Sequence, residues 1–283
     1  MGKFIGCGGV YGESGIALFG APFDGTASYR PGARFAPAAI RNESYSIETY
    51  SPYQNRDLGD IKVCDCGDLE LCFGNTERVL AQIADFTGRI LADNKLPVML
   101  GGEHLVTLGA VEAAYKKYPD LCIICFDAHA DMRLDYLGET LSHATVMRRC
   151  HELLGGCRIF QFGIRSGERE EFEFMRKHQF VNKFDFGGLA ETVNKLKGRP
   201  VYFTLDLDVL DPADLPGTGT PEAGGARFVE LLAAVFEVMK TNIVGIDITE
   251  LSPPYDTGGQ STSLACKLLR EILLAVKNKN IGE

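Results

Sequence analysis

Short apolar runs rich in strand-forming residues alternate with helical patterns along the 283 residues of this chain. In two intervening segments, residues 76–93 and 227–240, apolar side chains recur at the spacing that places them on one face of a helix. Strands that alternate with helices favour right-handed crossovers and a parallel sheet covered by helices on both faces. Strands are predicted at residues 16–19, 61–66, 97–100, 121–126, 158–164, 179–184, 201–207 and 243–248.

The expected architecture is an α/β fold, a single three-layer α/β/α domain with a mostly parallel sheet of about eight strands. A last helix at residues 263–277 would pack its apolar side chains against that sheet. The sequence contains no internal repeat, low-complexity tract or linker rich in Pro, Gly or Ser. Residues 1–283 are therefore expected to form one domain.

The composition excludes some classes of partner. The chain has 29 basic and 38 acidic residues and a formal net charge of −9, whereas a nucleic-acid binder needs a basic surplus. No apolar run is long enough to span a membrane, and the first residues lack the apolar region of a signal peptide. The nine cysteines are an odd number and lie partly in apolar runs. We expect a cytoplasmic protein with free thiols and no nucleic-acid or membrane partner.

Polar residues follow four of the predicted strands. His104 follows the third strand after two glycines, and Asp127-Ala-His129-Ala-Asp131 follows the fourth. Asp206-Leu-Asp208 ends the seventh strand, and Glu250 comes directly after the eighth. Because the carboxyl ends of parallel strands meet at one edge of the sheet, where open α/β sheets bind ligands, these side chains are expected to lie together.

These polar residues form a candidate metal centre. A lone Asp-x-Asp is more often a turn or a helix cap, and a lone His104 is as easily a satisfied polar residue. Together, however, adjacent like charges at the end of a buried strand repel one another unless a cation lies between them. Four carboxylates and two imidazoles suffice to ligate two divalent ions with a bridging carboxylate. A ligand set with few imidazoles and no thiolate favours Mn²⁺. The candidate ligands are His104, Asp127, His129, Asp131, Asp206 and Asp208.

Cys122 and Cys125 resemble half of a zinc motif. Residues three apart on a strand face opposite sides of the sheet, and no second pair completes the motif. Both cysteines are expected in the core.

The order and spacing of the motif segments resemble those of the ureohydrolase (arginase–agmatinase) family, and among its members the agmatinases most closely. The matching segments include Gly101-Gly-Glu-His104, Phe126-Asp-Ala-His-Ala-Asp131, Ser142-His-Ala-Thr145, Thr204-Leu-Asp-Leu-Asp-Val-Leu-Asp-Pro212 and Asp247-Ile-Thr-Glu-Leu-Ser-Pro253. One departure is Glu103, where many members carry Asp.

The resemblance implies two Mn²⁺ ions per subunit. One ion would be held by His104 with Asp131, the other by His129 with Asp208, and Asp127 and Asp206 would bridge both ions. The resemblance further implies a homo-oligomer, trimeric or hexameric.

The implied reaction is the hydrolysis of agmatine to putrescine and urea, a step of polyamine biosynthesis. Two divalent ions that share a water lower its pKa and present a hydroxide to the guanidinium carbon. Asp131 or Asp208 would accept the remaining proton. His143 would pass a proton to the leaving amine, because its pKa lies near the operating pH, although a lone histidine is more often an exposed loop residue. Glu250 would orient the guanidinium through a charge-assisted pair, and Thr220 is expected to form a hydrogen bond in the pocket or to serve a turn.

Several alternatives stay open at this point. Arginase, guanidinobutyrase or another guanidino- or formimino-substrate hydrolase would share the same motifs. Residues 132–141 resemble the agmatinase segment, whereas the arginase-type segment at this place is rich in Asn, Ser and Thr that bind an α-carboxylate. Asp135, Glu139 or Glu222 would attract the distal ammonium of agmatine. A single-zinc deacetylase needs only about three protein ligands. A metal-binding assembly protein without activity is the non-enzymatic alternative.

Overall fold

The centre of the protein is an eight-stranded sheet in which each strand is parallel to its neighbours. A computed structural model describes residues 2–276 of the chain. The strands are β1 (Ile16–Ala21), β2 (Tyr50–Ser51), β3 (Arg56–Asp57), β4 (Val63–Asp68), β5 (Leu96–Gly101), β6 (Cys122–Phe126), β7 (Ile159–Ile164), β8 (Phe180–Lys183), β9 (Pro200–Asp206) and β10 (Asn242–Thr249). The order across the large sheet is β4-β1-β5-β10-β9-β6-β7-β8, and β2 and β3 form a separate antiparallel pair.

Helices cover both faces of the sheet. They are α1 (Ala36–Glu43), α2 (Thr76–Ala92), α3 (Val106–Lys117), α4 (Val146–Leu154), α5 (Arg169–His178), α6 (Leu189–Lys195), α7 (Phe228–Val238) and α8 (Gln260–Ala275). Local sequence explains where they begin: the Asn75 side chain accepts a hydrogen bond from Arg78 N at the start of α2, and Glu168 with Glu171 forms a capping box at the start of α5. The expected last helix is confirmed, but it begins at Gln260, and Lys277 lies outside the described residues.

The pleat of the strands divides the core into two apolar layers. On β6, Cys122, Ile124 and Phe126 belong to the layer that packs against α7 and α8. The alternate residues Ile123 and Cys125 belong to the layer that packs against α2, α3 and α4. The α/β/α architecture and its eight parallel strands are therefore confirmed, and both cysteines are buried, as expected.

The register of the central strands brings their carboxyl ends to one level. Thr249 pairs with Asp206 between β10 and β9, and Phe126 pairs with Leu205 between β6 and β9. Because β5 ends one residue beyond the last of its pairs with β10, the loops that follow all four strands leave the sheet side by side. In residues 2–276 no helix is long and apolar enough to cross a membrane.

Candidate metal centre and adjoining cavity

The His104 ring lies against three carboxylates that come from two strand ends, those of β6 and β9. Its Nδ1 atom is 3.0 Å from Asp127 Oδ2, 3.1 Å from Asp131 Oδ2 and 3.4 Å from Asp206 Oδ2. All four side chains are buried or nearly so. One nitrogen and three oxygens that converge at these distances form a half-cage suited to a divalent cation.

A second group of ligand atoms adjoins the first. His129 Nδ1 is 2.8 Å from Asp208 Oδ2 and 3.7 Å from Asp127 Oδ1. The ligand atoms of these three residues lie within 4.8 Å of one another. The two oxygens of Asp127 therefore face different imidazoles, which is the arrangement of a carboxylate that bridges two cations.

The surroundings of one oxygen atom in this cluster indicate whether the cluster can hold cations. Asp127 Oδ2 is buried and, although 3.0 Å from His104 Nδ1, makes no hydrogen bond. A buried carboxylate oxygen without a partner is costly unless a cation compensates it. Two divalent cations would supply that compensation, and two imidazole nitrogens with four carboxylates suffice to ligate them, so the residues fit a binuclear centre.

The pKa values of the residues in the cluster also favour the binding of cations. Burial and the neighbouring carboxylates raise the pKa of Asp127 to about 7. Burial disfavours the charged ring of His129, but the adjacent Asp208 carboxylate more than offsets this and raises its pKa to about 10. Burial alone would raise the pKa of Asp208, yet His129 holds it below its ordinary value. Protons therefore partly neutralise the cluster, and divalent cations would compete with them.

A second layer of hydrogen bonds orients His104, and sequence reasoning missed it. Thr204 Oγ1 donates to Asp247 Oδ1 at 2.6 Å and lies 2.9 Å from His104 Nε2. Because the single hydroxyl hydrogen goes to the carboxylate, Nε2 donates to Thr204 and the lone pair of a neutral ring lies on Nδ1, facing the cluster. An acidic residue inside the apolar run at 243–248 was the available signal.

The Cys125 thiol is part of the floor of this site as well as of the core. Its sulfur lies within 4.8 Å of the nearest ligand atoms of His104 and Asp127. Burial and the surrounding carboxylates raise the pKa of the thiol well above its ordinary value. Cys125 therefore stays protonated near neutral pH and contributes packing in place of a thiolate ligand.

A cavity of about 270 Å³ opens above the cluster. Glu250 lies on its wall with a positive φ of 63° and accepts a hydrogen bond from His104 N through Oε1 at 2.7 Å. Thr220 Oγ1 donates to Asp208 Oδ2 at 3.4 Å, and the His143 ring meets Tyr136 edge to face. The structure thus brings together at one site the residues that the sequence nominated as metal ligands, proton-transfer groups or contacts of the guanidinium: His104, Asp127, His129, Asp131, His143, Asp206, Asp208, Thr220 and Glu250.

The acidic residues nominated for a distal ammonium lie elsewhere. In the described part of the chain, Asp135, Glu139 and Glu222 are not among the residues that line the cavity. Glu168 lines it instead, paired with Arg133 at 2.8 Å. Neither of these two residues was nominated, because their loops follow different strands and no spacing in the sequence relates them.

Comparison with known proteins places this geometry in context. The sequence pattern of the Arginase family matches residues 14–275. An agmatinase from Bacillus subtilis (strain 168) is 49% identical over 266 residues, which cover 93% of this chain and 92% of the relative. A solved structure from Clostridium difficile is 49% identical, with a TM-score of 0.93 over 95% of this chain and 99% of that chain. The agmatine ureohydrolase of Thermoplasma volcanium is 37% identical, with a TM-score of 0.89 over 98% of this chain and 95% of its own.

Proposed function

This chain belongs to the arginase family of hydrolases, and from that premise we propose that it hydrolyses agmatine to putrescine and urea with two Mn²⁺ ions per subunit. The observation that carries the proposal is the Asp127 carboxylate, whose two oxygens face the Nδ1 atoms of two different histidines. The substrate follows from the agmatinase relative at 49% identity. The product putrescine is a polyamine precursor, so the reaction would serve polyamine biosynthesis.

Each ion would have its own histidine and its own carboxylate. His104 and Asp131 would hold one ion, His129 and Asp208 the other, and Asp127 and Asp206 would serve both. When bound, the pair of ions lowers the pKa of a water so that a nucleophile is available at neutral pH. The Thr204 hydroxyl keeps the His104 Nδ1 atom directed at the carboxylates that would hold this ion with it.

The substrate would enter the cavity with its guanidinium toward Glu250. This carboxylate is partly exposed on the cavity wall, which Asp208 also lines, and the two carboxylates interact electrostatically. A carboxylate matched to a guanidinium fixes the plane of the substrate by paired hydrogen bonds. Asp131 or Asp208 would accept the proton of the attacking water, and His143 would deliver one to the departing amine.

The proposed activity is tested by a panel of guanidines on the Mn²⁺-loaded protein. Urea release is expected with the highest kcat/KM from agmatine, compared with arginine and 4-guanidinobutyrate, because the agmatinase from Bacillus subtilis is 49% identical over 93% of this chain. Elemental analysis is expected to find two metal ions per chain. A higher kcat/KM for arginine or guanidinobutyrate would overturn the substrate assignment, and one tightly bound zinc would favour the deacetylase alternative.

The stability of the protein is expected to depend on pH and metal together. The folded pKa values of Asp127 (about 7) and His129 (about 10) lie above the ordinary 3.8 and 6.5, so the metal-free native state binds more protons than the unfolded chain. The stability that these two groups contribute is therefore fully present below their ordinary pKa values and is lost as pH rises through the folded ones. Divalent ions replace those protons, so the Tm difference between Mn²⁺-loaded and metal-free protein should be several degrees larger at about pH 8.5 than at about pH 6.5.

The contribution of His129 to the pH dependence of this Tm difference can be measured separately. H129N removes a group that takes part in the exchange, so its Tm difference should change less with pH than that of the wild type. H178N removes a histidine from the end of α5, away from the cluster, and is the matched control. A Tm difference that shrinks with rising pH in the wild type would contradict the exchange of protons for metal.

Two further properties are proposed with this function. The family resemblance supports a homo-oligomer, trimeric or hexameric, which native mass spectrometry would measure. Strands drawn from residues 16 to 249 share one sheet, which supports a single domain over residues 1–283.

A further inference from the structure

The buried carboxylate of Glu103 has no place in the ligand set. Its side chain is 1% exposed although it stands directly before a proposed ligand, His104. Glu103 Oε1 accepts a hydrogen bond from Thr26 Oγ1 at 2.5 Å, and Oε2 accepts one from Thr26 N at 3.0 Å. Both carboxylate oxygens are therefore directed at a single residue of the loop after β1.

The backbone holds this loop firmly against Glu103. Glu103 N donates to Phe23 O at 2.8 Å, and Gly102 N donates to Ala21 O at 3.0 Å. A Cβ atom at position 102 would lie 1.7 Å from Phe23 O, so only glycine permits this approach. Thr26 is thus presented to the carboxylate by main-chain contacts that do not depend on its own side chain.

Thr26 also contacts His143, on the other side of the loop. Thr26 Oγ1 accepts a hydrogen bond from His143 N at 3.0 Å and lies 3.4 Å from the ring Nδ1. Nε2 of the same ring lies 3.3 Å from Ser28 Oγ, and Ser28 lines the cavity. Nδ1 is also 3.5 Å from Ser142 Oγ. The ring therefore turns Nδ1 toward Thr26 and Nε2 toward the side that borders the cavity.

The direction of these hydrogen bonds follows from counting hydrogens. A hydroxyl has one hydrogen, and that of Thr26 is donated to Glu103 when this carboxylate is ionised, because an ionised carboxylate can only accept. Burial raises the pKa of Glu103 to about 8, so this direction applies above about pH 8. Thr26 Oγ1 can then only accept from His143, so the favoured neutral tautomer carries its hydrogen on Nδ1. The lone pair is left on Nε2, where a proton can be taken up and released.

We propose that Glu103 and Thr26 are positioning residues that fix the tautomer and orientation of His143 for proton transfer at Nε2. This inference rests on the proposed hydrolysis, in which His143 protonates the departing amine. Glu103 acts through Thr26 and touches neither the substrate nor the ring. The carboxylate, the hydroxyl and the imidazole form one chain, drawn from three separate loops.

Three variants separate this role from a structural one. T26V removes the hydroxyl and keeps the shape, and T26S restores the hydroxyl. E103Q keeps the shape as well, but its amide nitrogen must face Thr26 Oγ1 if the amide oxygen keeps its hydrogen bond to Thr26 N. The Thr26 hydroxyl is then free to donate to Nδ1, so E103Q is expected to reverse the tautomer of His143.

In the Mn²⁺-loaded enzyme we expect T26V to lower kcat about 10–100-fold with KM changed less than about threefold, because the loss falls on proton transfer. T26S should recover most of kcat. Metal content and Tm should stay close to those of the wild type in both variants. An unchanged kcat in T26V, or a T26S as slow as T26V, would overturn the proposal.

The tautomer is read directly by solid-state ¹⁵N NMR of the full chain labelled at histidine, in excess Mg²⁺ as a diamagnetic ion. The signal that is lost in H143N identifies the ring. At about pH 9, where Glu103 is ionised, we expect hydrogen on Nδ1 in the wild type and T26S, and on Nε2 in E103Q; the same tautomer in the wild type and E103Q would overturn the proposal. Because this readout needs no substrate, it distinguishes failure of the inference from failure of the proposed function, which would show as no urea from any guanidine.

Discussion

Asp208→Asn is expected to lower kcat for urea release at least about 10³-fold in a protein that remains folded. Asp208 Oδ2 is 2.8 Å from His129 Nδ1 and accepts a hydrogen bond from Thr220, while Oδ1 accepts one from Ala128 N at 3.1 Å. Asparagine keeps the volume but loses a charged ligand and the capacity to accept a proton. Urea release at saturating agmatine and metal content per chain are the measurements.

The control for this variant lies three residues away. D211N changes a carboxylate that accepts hydrogen bonds from the backbone N–H groups of Ala213, Gly224 and Gly225 and is not among the cavity residues. Its kcat should stay within about threefold of the wild type, since it removes the same charge from the same loop without touching the ligand cluster. If D208N released urea at the wild-type rate with its metal intact, the proposed mechanism would be wrong.

The strands and the residues of the site were predictable because both follow from one rule. Parallel strands end at one edge, so polar residues that directly follow strands converge there, as His104 and Asp127 do. The spacing of two in Asp206-Leu-Asp208 then keeps both carboxylates near that edge. The metal ligands needed only local patterns and the assumption of a parallel sheet, whereas His143 and Thr220 were nominated through the family resemblance.

The supporting contacts were not predictable, since they depend on register between segments far apart in the chain. Asp247 holds Thr204 only because these two residues are direct partners between β10 and β9. Glu103 and Thr26 are separated by 77 positions, and Thr26 and His143 by 117. No periodicity reports which loops touch above a sheet, and the two-residue strands β2 and β3 are too short to show one.

The same limit explains why the acidic residues predicted to bind the distal ammonium do not line the cavity. Asp135, Glu139 and Glu222 were chosen because they are acidic and lie in loops after strands. Asp135 instead accepts a hydrogen bond from Gly138 N within its own turn. Acidic side chains are common in loops, and only the path of the backbone decides which of them, such as Glu168, reaches the cavity.

Glu250→Gln is the second change with a large expected effect, and it should act on kcat/KM for agmatine by about 10²–10³-fold. Gln keeps the size and an oxygen that can accept from His104 N, as Glu250 Oε1 does at 2.7 Å, so the backbone and the adjacent ligand should keep their positions. What is lost is the negative charge opposite the guanidinium. Truncating one partner of a buried charge pair costs about 2–5 kcal/mol, which sets the expected range.

Desolvation makes the charge of Glu250 depend on a bound cation, which is not true of an ordinary surface carboxylate. Burial and Glu103 raise the pKa of Glu250 well above its ordinary value, so the carboxylate is costly to ionise until a cation lies beside it. The substrate guanidinium supplies that cation, whereas a neutral analogue such as a urea would not. E250Q should therefore lose discrimination between agmatine and a neutral analogue in competitive inhibition. E222Q, a charge removed from a neighbouring loop outside the cavity, should retain it, and equal discrimination by E250Q and the wild type would show that Glu250 does not bind the guanidinium.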